Sequence, residues 1–133
     1  MTCTRAQILT FIWRAAGSPT VSAANPFSDV TADDYYYNAA IWAYENSMVT
    51  GSTFDADTPC TRSSTVTYLW KNAGMPRVDT SSDFSDISPL DEYSDAVSWA
   101  VENNVTLGTS ETTFSPYDIC SRGQIVTFLY RAF

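Results

Sequence analysis

The amino-acid sequence predicts an all-α protein built from about two and a third copies of one helical unit. A segment that opens Cys-Thr-Arg or Cys-Ser-Arg occurs three times, starting at Cys3, Cys60 and Cys120. Within each copy, apolar residues recur at the three- and four-residue spacing of an amphipathic helix. A second block, Phe-Ser-Asp followed by an aliphatic residue, precedes the last two copies and starts at Phe27 and Phe84. Repetition of this kind predicts a tandem helical architecture.

The segment after each cysteine is expected to form one helix of the unit, over about residues 4–16, 61–73 and 121–132. Thr61 and Ser121 favour a helix start, because their side-chain oxygens can accept a hydrogen bond from an exposed backbone N–H. Gly17 and Gly74 follow the first two copies and are expected to end them, since glycine readily adopts the left-handed conformation beyond a helix.

The block that precedes the last two copies is expected to form the other helix, over about residues 35–47 and 92–104. The stretches 18–25 and 75–82 are rich in Ser, Thr, Pro and Asn, which is typical of exposed connectors. A single domain over 1–133 is therefore predicted, with its units at 1–17, 26–74 and 83–133. The first unit lacks its first helix, and the units must pack on one another to bury their apolar faces.

The composition argues against several function classes. The formal net charge of −8 disfavours nucleic-acid binding, which depends on neutralising phosphates. No apolar run approaches the roughly 18 residues that span a bilayer, so membrane insertion is not expected. The N-terminus enters a helical pattern directly and contains no signal peptide, so we expect a fragment whose upstream part has been cut away.

The sequence also offers no catalytic constellation. Histidine is absent, which removes the commonest general base and the commonest metal ligand. The adjacent acidic pairs Asp33-Asp34 and Asp91-Glu92 lie where helices are expected to begin, and acids there stabilise the helix dipole. Neither a calcium loop nor a nucleotide-binding glycine pattern is present. We therefore expect no enzyme activity, no cofactor and no metal.

The cysteines and tryptophans are interpreted as packing residues. The three cysteines match no zinc-knuckle spacing, and their odd number excludes complete pairing as disulfides. We expect them to be small buried residues that lie too far apart to bridge one another. The tryptophans recur on apolar faces, where packing is their expected role: Trp13, Trp42, Trp70 and Trp99.

Taken in order, these motifs resemble the S-layer homology repeat, and particularly versions from gut-dwelling clostridial relatives. The resemblance rests on F-x-D-V, an aromatic-containing helix, a glycine, a loop with a phenylalanine and then T-R-x-x. It implies three repeats in a pseudo-threefold arrangement, with grooves between neighbouring copies. It also implies an extracellular location at the cell wall or cell surface. The implied partner there is an anionic, often pyruvylated, secondary polysaccharide of a Gram-positive wall, bound non-covalently.

The resemblance further implies which residues bind the polysaccharide. In the family, the arginine of the T-R motif contacts the anionic sugar, while the aspartate of F-x-D-V, a nearby aromatic and a loop glycine help to form the groove. These positions are here Arg5, Arg62, Arg122, Asp29, Asp86, Tyr35, Gly51 and Gly108. The aromatic position holds Tyr35 in the second unit but Glu92 in the third. The site is therefore expected where the second unit meets its neighbours.

The residue types themselves leave alternatives open. An arginine beside free N–H groups at a helix start suits a carboxylate ligand, but it can equally pair with Asp29 or Asp86 and hold the units together. The aspartates can likewise accept hydrogen bonds within a turn or contact the sugar. In the run Tyr35–Tyr37, one ring can serve as a sugar platform, while at least one other must face the core.

The predicted function is a non-catalytic module that anchors a protein to cell-wall polysaccharide. The alternative is a protein-interaction or surface-assembly module with the same fold. In that case the incomplete first unit would leave a seam through which the chain self-associates.

Overall fold

The computed structural model describes residues 2–78 and 84–133. It contains the five helices α1 (Arg5–Ala15), α2 (Tyr37–Glu45), α3 (Arg62–Asn72), α4 (Ser94–Glu102) and α5 (Arg122–Ala132). Isolated bridges are the only β-type pairings among these residues, which confirms the all-α prediction. None of the helices in the described part of the chain is long and apolar enough to cross a membrane. The predicted start of the third unit at 83 and residues 79–82 of the connector 75–82 lie outside the described residues.

Helices α1, α3 and α5 begin with the side-chain caps that the sequence predicts. Thr4, Thr61 and Ser121 each accept a hydrogen bond from the backbone N–H three residues further on. Glutamine completes a capping box in two of these helices. Gln7 Oε1 accepts from the Thr4 N–H at 3.0 Å, and Gln124 Oε1 accepts from the Ser121 N–H at 2.8 Å. Gln7 and Gln124 therefore stabilise the starts of α1 and α5.

Helix stops follow the prediction at α1 and α3. Gly17 and Gly74 come directly after the C-caps with φ values of 95° and 93°. A residue with a β-carbon adopts this left-handed conformation only with strain. The two glycines therefore end their helices as the sequence predicts.

Helices α2 and α4 begin two residues later than expected, because acidic side chains hold the preceding residues in turns. The Asp34 carboxylate accepts from the Thr31 N–H at 2.8 Å, and Asp91 accepts from the Ser88 N–H at 2.8 Å. Such side-chain-to-backbone bonds compete with helix formation. One member of each acidic pair thus has a structural role, and Tyr35 lies outside α2.

Packing pairs the second helix of one unit with the first helix of the next, α1 with α2 and α3 with α4, as the expected packing between units requires. Small residues of α2 and α4 let these helices approach closely. In α1 and α3, Leu9 and Val66 occupy equivalent positions and are fully buried. The equivalent residue of α5 is Val126, which is 53% exposed. No helix of the described residues covers this face of α5.

The tryptophans pack as predicted. Trp42 and Trp99 are buried, while Trp13 and Trp70 lie against the core and donate their indole N–H to the carbonyls of Pro19 and Pro76. Of the tyrosine run, Tyr36 and Tyr37 pack against the core and Tyr35 is exposed.

The starts of α1, α3 and α5 converge on a ring of backbone hydrogen bonds. The N–H of Cys3 donates to the Cys120 carbonyl at 3.2 Å, that of Cys60 to Cys3 at 2.9 Å, and that of Cys120 to Cys60 at 2.8 Å. All three thiols are free and buried, as predicted, and burial raises the pKa of Cys60 to about 12. The three cysteines form no disulfide with one another, as expected, but the expected reason is wrong, because the ring holds their backbones together. A closed ring of equivalent contacts is compatible with a pseudo-threefold arrangement, which stays a prediction.

Candidate functional site

The three predicted arginines are the first residues of α1, α3 and α5, but they differ in burial. Arg62 is 4% exposed. Its Nε donates to the Phe114 carbonyl at 2.8 Å, its Nη2 donates to Thr106 Oγ1 at 3.2 Å, and its Cζ lies 4.8 Å from the centre of the Phe114 ring. Burial lowers the pKa of this guanidinium. Arg62 thus ties the second unit to the loop of the third.

Arg5 is more open but also has protein partners. Its Nη1 donates to the Phe54 carbonyl at 2.7 Å, and its Nε donates to the Tyr68 hydroxyl at 3.2 Å. The same Nη1 lies 3.9 Å from Asp55 Oδ2. This long, exposed ion pair adds little stability by itself. The pairing interpretation holds for Arg5, but the carboxylate is Asp55 and not Asp29.

The expectation of free N–H groups at these helix starts is wrong for α1 and α3. The N–H groups of the first two residues of each helix, Arg5 and Ala6 or Arg62 and Ser63, donate to loop carbonyls of the following unit at 2.8–3.1 Å. The acceptors are Thr58, Ala56, Asp118 and Pro116. A loop therefore occupies the position that an anion would take at these two helix ends.

Asp29 and Asp86 both hold that loop in place. Asp29 accepts from the N–H groups of Phe54 and Asp55 at 2.8 and 2.9 Å, and these bonds lower the pKa of its carboxyl. Asp86 accepts from Phe114 and Ser115 at 2.9 and 2.8 Å. Burial opposes ionisation of Asp86, but these two N–H groups outweigh it and its pKa is also lowered. Both aspartates accept hydrogen bonds from backbone N–H groups as expected, but these groups belong to a loop 25–29 residues further along the chain and not to the aspartates' own turn. Sugar contact by the two aspartates stays a prediction.

The two predicted glycines both have positive φ, 97° at Gly51 and 93° at Gly108. They differ in their surroundings. A β-carbon on Gly51 would meet nothing within 4 Å, whereas one on Gly108 would lie 2.7 Å from the Phe84 ring and 2.8 Å from the Thr113 carbonyl oxygen. Gly108 is therefore required by close packing as well as by backbone conformation.

Tyr35 and Arg122 come together in one groove, which we call the Arg122 groove. It has a volume of about 230 Å³. Its lining residues are Gln7, Thr10, Phe11, Arg14, Tyr35 and Arg122. The Arg122 Cζ lies 5.7 Å from the centre of the Phe11 ring, and Tyr35 is 61% exposed. All three units contribute to this groove.

The Arg122 groove carries positive charge and hydrogen-bond donors. Both Arg14 and Arg122 are exposed, and no carboxylate is among the lining residues. Gln7 uses its side-chain oxygen in the helix cap, which leaves its amide N–H groups free to donate. The exposed Tyr35 ring stands edge-on to Tyr36, with the ring centres 5.0 Å apart. A carboxylate can bind the guanidinium groups while the sugar ring contacts Tyr35.

A second groove occupies the equivalent place one unit later, and we call it the Glu92 groove. It has a volume of about 160 Å³ and is lined by Ser63, Ser64, Thr67, Tyr68, Glu92 and Tyr93. Glu92 stands here at the position of Tyr35, and Ser64 at that of Gln7. No arginine is among its lining residues.

The predicted site residues are thus divided among several places. Tyr35 shares a groove with Arg122 and not with Arg62. Asp29 lies in a separate open groove with Tyr36, Asp55 and Asp57. Within residues 2–78 and 84–133, no group of acidic or cysteine side chains is arranged to hold a metal ion.

Sequence reasoning missed Gln7, Thr10, Phe11 and Arg14 as lining residues. One signal was available, since an aromatic residue follows each motif arginine by six positions. In the structure each such aromatic contacts the arginine of a different unit. The pairs are Arg5 with Tyr68, Arg62 with Phe128 and Arg122 with Phe11.

Comparison with known families supports the resemblance. The family model of the S-layer homology domain matches residues 83–126, about a third of the chain. Comparison with curated proteins gives no match. S-layer homology domains are in general non-catalytic modules that anchor proteins at the cell wall or cell surface. The matched segment includes Asp86, Gly108 and Arg122. Residues 83–126 of this chain are therefore an S-layer homology domain.

Proposed function

We propose that this chain is a non-catalytic anchoring module that binds an anionic secondary cell-wall polysaccharide through the Arg122 groove. One observation carries the proposal: two exposed guanidinium groups, Arg14 and Arg122, flank the exposed ring of Tyr35 with no carboxylate among the lining residues. A ketal-linked pyruvate is the favoured anionic group. The proposed location is extracellular, at the wall of the cell.

Local charge outweighs the acidity of the whole protein in this groove. A carboxylate about 4 Å from a guanidinium gains about 1–4 kcal/mol, depending on how much water screens the pair. The net charge of −8 is spread over the surface and is screened over about 8 Å by physiological salt. The planar guanidinium also matches a carboxylate in two places, which favours an acid-bearing sugar over a neutral one.

The groove needs the three units to be folded together. Its residues come from α1, from the segment before α2 and from the start of α5. We therefore propose 1–133 as one domain, with units at 1–17, 26–74 and 83–133 in a pseudo-threefold arrangement. Arg5 and Arg62 hold loops of neighbouring units in place and help to shape the grooves.

Co-sedimentation with isolated Gram-positive cell wall tests the proposal. Arg122→Ala is expected to weaken binding by about tenfold, which corresponds to about 1.4 kcal/mol. Arg131→Ala is the matched control, since Arg131 is exposed, lies on the same helix and does not line the groove. Equal binding by the two variants would exclude the Arg122 groove as the site.

Competition identifies the anionic group. Soluble wall polymer that carries pyruvate is expected to displace the chain from the wall, and the same polymer after acid removal of the ketal is not. If both polymers compete equally, the carboxylate is not what the groove recognises.

A second candidate function is self-assembly, and it is favoured by the exposed apolar face of α5. Val126, Tyr130 and Phe133 are 53%, 86% and 55% exposed. The sequence places the seam on the incomplete first unit, whereas the structure places the exposed face on the third, because α2 covers α1. Two copies could bury these faces against each other around a twofold axis. Sedimentation velocity would then show a concentration-dependent dimer that Tyr130→Lys abolishes, and a monomer at every concentration would contradict this function.

A further inference from the structure

The Glu92 groove differs in charge from the Arg122 groove although both lie at equivalent places in the repeat. Glu92 is exposed and forms no hydrogen bond or ion pair with any described residue. Arg5 contacts the groove indirectly, because its Nε donates to the Tyr68 hydroxyl at 3.2 Å. Its guanidinium also donates to the Phe54 carbonyl and lies 3.9 Å from Asp55, and Arg5 itself is not among the lining residues. Glu92 is the single charged residue among those that line the groove, so the lining carries a negative charge.

Hydroxyl groups supply the rest of the groove, and their hydrogen bonds show what each can still offer. The Tyr68 hydroxyl accepts from Arg5 Nε at 3.2 Å, so its own proton remains available to donate. Ser64 Oγ accepts from Thr61 Oγ1 at 3.0 Å and likewise keeps its proton. Thr67 Oγ1 donates to the Ser63 carbonyl at 2.7 Å, which leaves it as an acceptor. Donors, an acceptor and a carboxylate thus line one small groove.

We infer that the Glu92 groove binds an amino sugar whose amine is not acetylated. The Glu92 carboxylate would bind the sugar ammonium, and the hydroxyls of Ser64, Thr67 and Tyr68 would exchange hydrogen bonds with the sugar hydroxyls. An anionic sugar is disfavoured here, because Glu92 repels it and no guanidinium is among the lining residues.

The two grooves together select a polysaccharide that carries both kinds of charge. Acid groups bind in the Arg122 groove, and free amines bind in the Glu92 groove. This inference rests on the proposed function in taking the ligand to be a wall glycan. The inference and the proposed function can fail separately, because the first depends on Glu92 and the second on Arg122.

A pair of oligosaccharides that differ only in acetylation tests the inference. The full chain is titrated with a chitosan oligosaccharide, which bears free amines, and with the N-acetylated chitin oligosaccharide of the same length. Amide signals of Ser64, Thr67 and Tyr93 are followed by nuclear magnetic resonance. We expect the chitosan oligosaccharide to shift these signals and to bind at least about fivefold more tightly, as one charge-assisted hydrogen bond allows.

Variants identify the carboxylate responsible. Glu92→Gln should remove the preference for the free amine, and Glu92→Tyr, which installs the residue found in the other groove, should do the same. Glu111→Gln is the matched control, since Glu111 is exposed on a loop outside both grooves. The inference is overturned if neither sugar shifts the three signals, if both bind equally, or if Glu111→Gln weakens binding as much as Glu92→Gln. Loss of wall binding in Arg122→Ala is a separate outcome that tests only the proposed function.

Discussion

Arg62 and Arg122 occupy the same position in the repeat but have opposite environments. Arg62 is 4% exposed and donates to the carbonyl of Phe114, in the loop of the unit that follows it. Arg5 reaches the equivalent carbonyl of Phe54 in the same way. Arg122 has no loop carbonyl as a side-chain partner among the described residues, and it borders an open groove. A repeated arginine is thus a packing residue where a neighbouring loop covers it and a candidate ligand contact where none does.

Replacing Arg62 or Arg122 by alanine should give the largest difference in the free energy of unfolding. Arg62→Ala leaves the buried Phe114 carbonyl without its side-chain partner, removes one of the two donors to the Thr106 hydroxyl and opens a cavity, so we expect a loss of about 3 kcal/mol in the free energy of unfolding. Arg122→Ala should change that free energy by less than about 0.5 kcal/mol. Urea unfolding followed by tryptophan fluorescence measures both. Equal losses would mean that Arg122 is also a packing residue.

The next largest difference in stability is expected between a helix face that another helix covers and one that no helix covers. Val66→Ala removes two methyl groups from the fully buried contact between α3 and α4, at an expected cost of about 2 kcal/mol. Val126→Ala changes the equivalent position of α5, where the side chain is half exposed, and should cost less than about 0.5 kcal/mol. A large effect of Val126→Ala that grows with protein concentration would instead indicate that this face is buried between copies.

The two loop glycines provide a smaller contrast. Gly51→Ala imposes only the strain of a positive φ, about 1 kcal/mol. Gly108→Ala adds a clash with the Phe84 ring and the Thr113 carbonyl, so its cost should be larger by about 1 kcal/mol. Thermal unfolding of the two variants, measured side by side, compares their loss of stability. Equal melting temperatures would show that the loop around Gly108 moves aside freely.

Acid should weaken the loops that Asp29 and Asp86 hold. Their pKa values are lower in the folded chain than in the unfolded one, so their contribution is present above the ordinary carboxyl pKa. It is lost as the pH falls through the folded pKa. Urea midpoints should therefore drop between about pH 5 and about pH 3. The double variant Asp29→Asn/Asp86→Asn should lower the midpoint at neutral pH and flatten its pH dependence, and an unchanged slope would mean that other groups cause the acid sensitivity.

The helical fold could be predicted in detail because its determinants are local. The caps at Thr61 and Ser121, the stops at Gly17 and Gly74 and the period of the apolar residues all act within a few residues of chain. The late start of α2 was not predicted, because an aspartate such as Asp34 can either stabilise the start of a helix or accept a hydrogen bond that closes a turn before it. The tertiary contacts of the following residues favour the turn.

The candidate site could be predicted only in part. Tyr35 and Arg122 were both named, and the site was expected where the second unit meets its neighbours, but the sequence did not specify which arginine lies beside Tyr35. The groove joins residues of three units, and neither Arg14 nor Phe11 stands out from the other residues of its helix. Their role depends on which unit lies opposite, and the spacing of motifs along one chain does not specify that.

The repeat, the helix pair of the two complete units and the residue types of the candidate groove could all be read from the amino-acid sequence. The meeting of the three cysteines in one ring, the burial of Arg62 and the exposure of Arg122 beside Tyr35 depend on tertiary contacts. The physical reason is the range of the interactions. Caps and helix stops depend on neighbours in the chain, whereas the burial of an arginine depends on a loop that lies about fifty residues away and belongs to another unit.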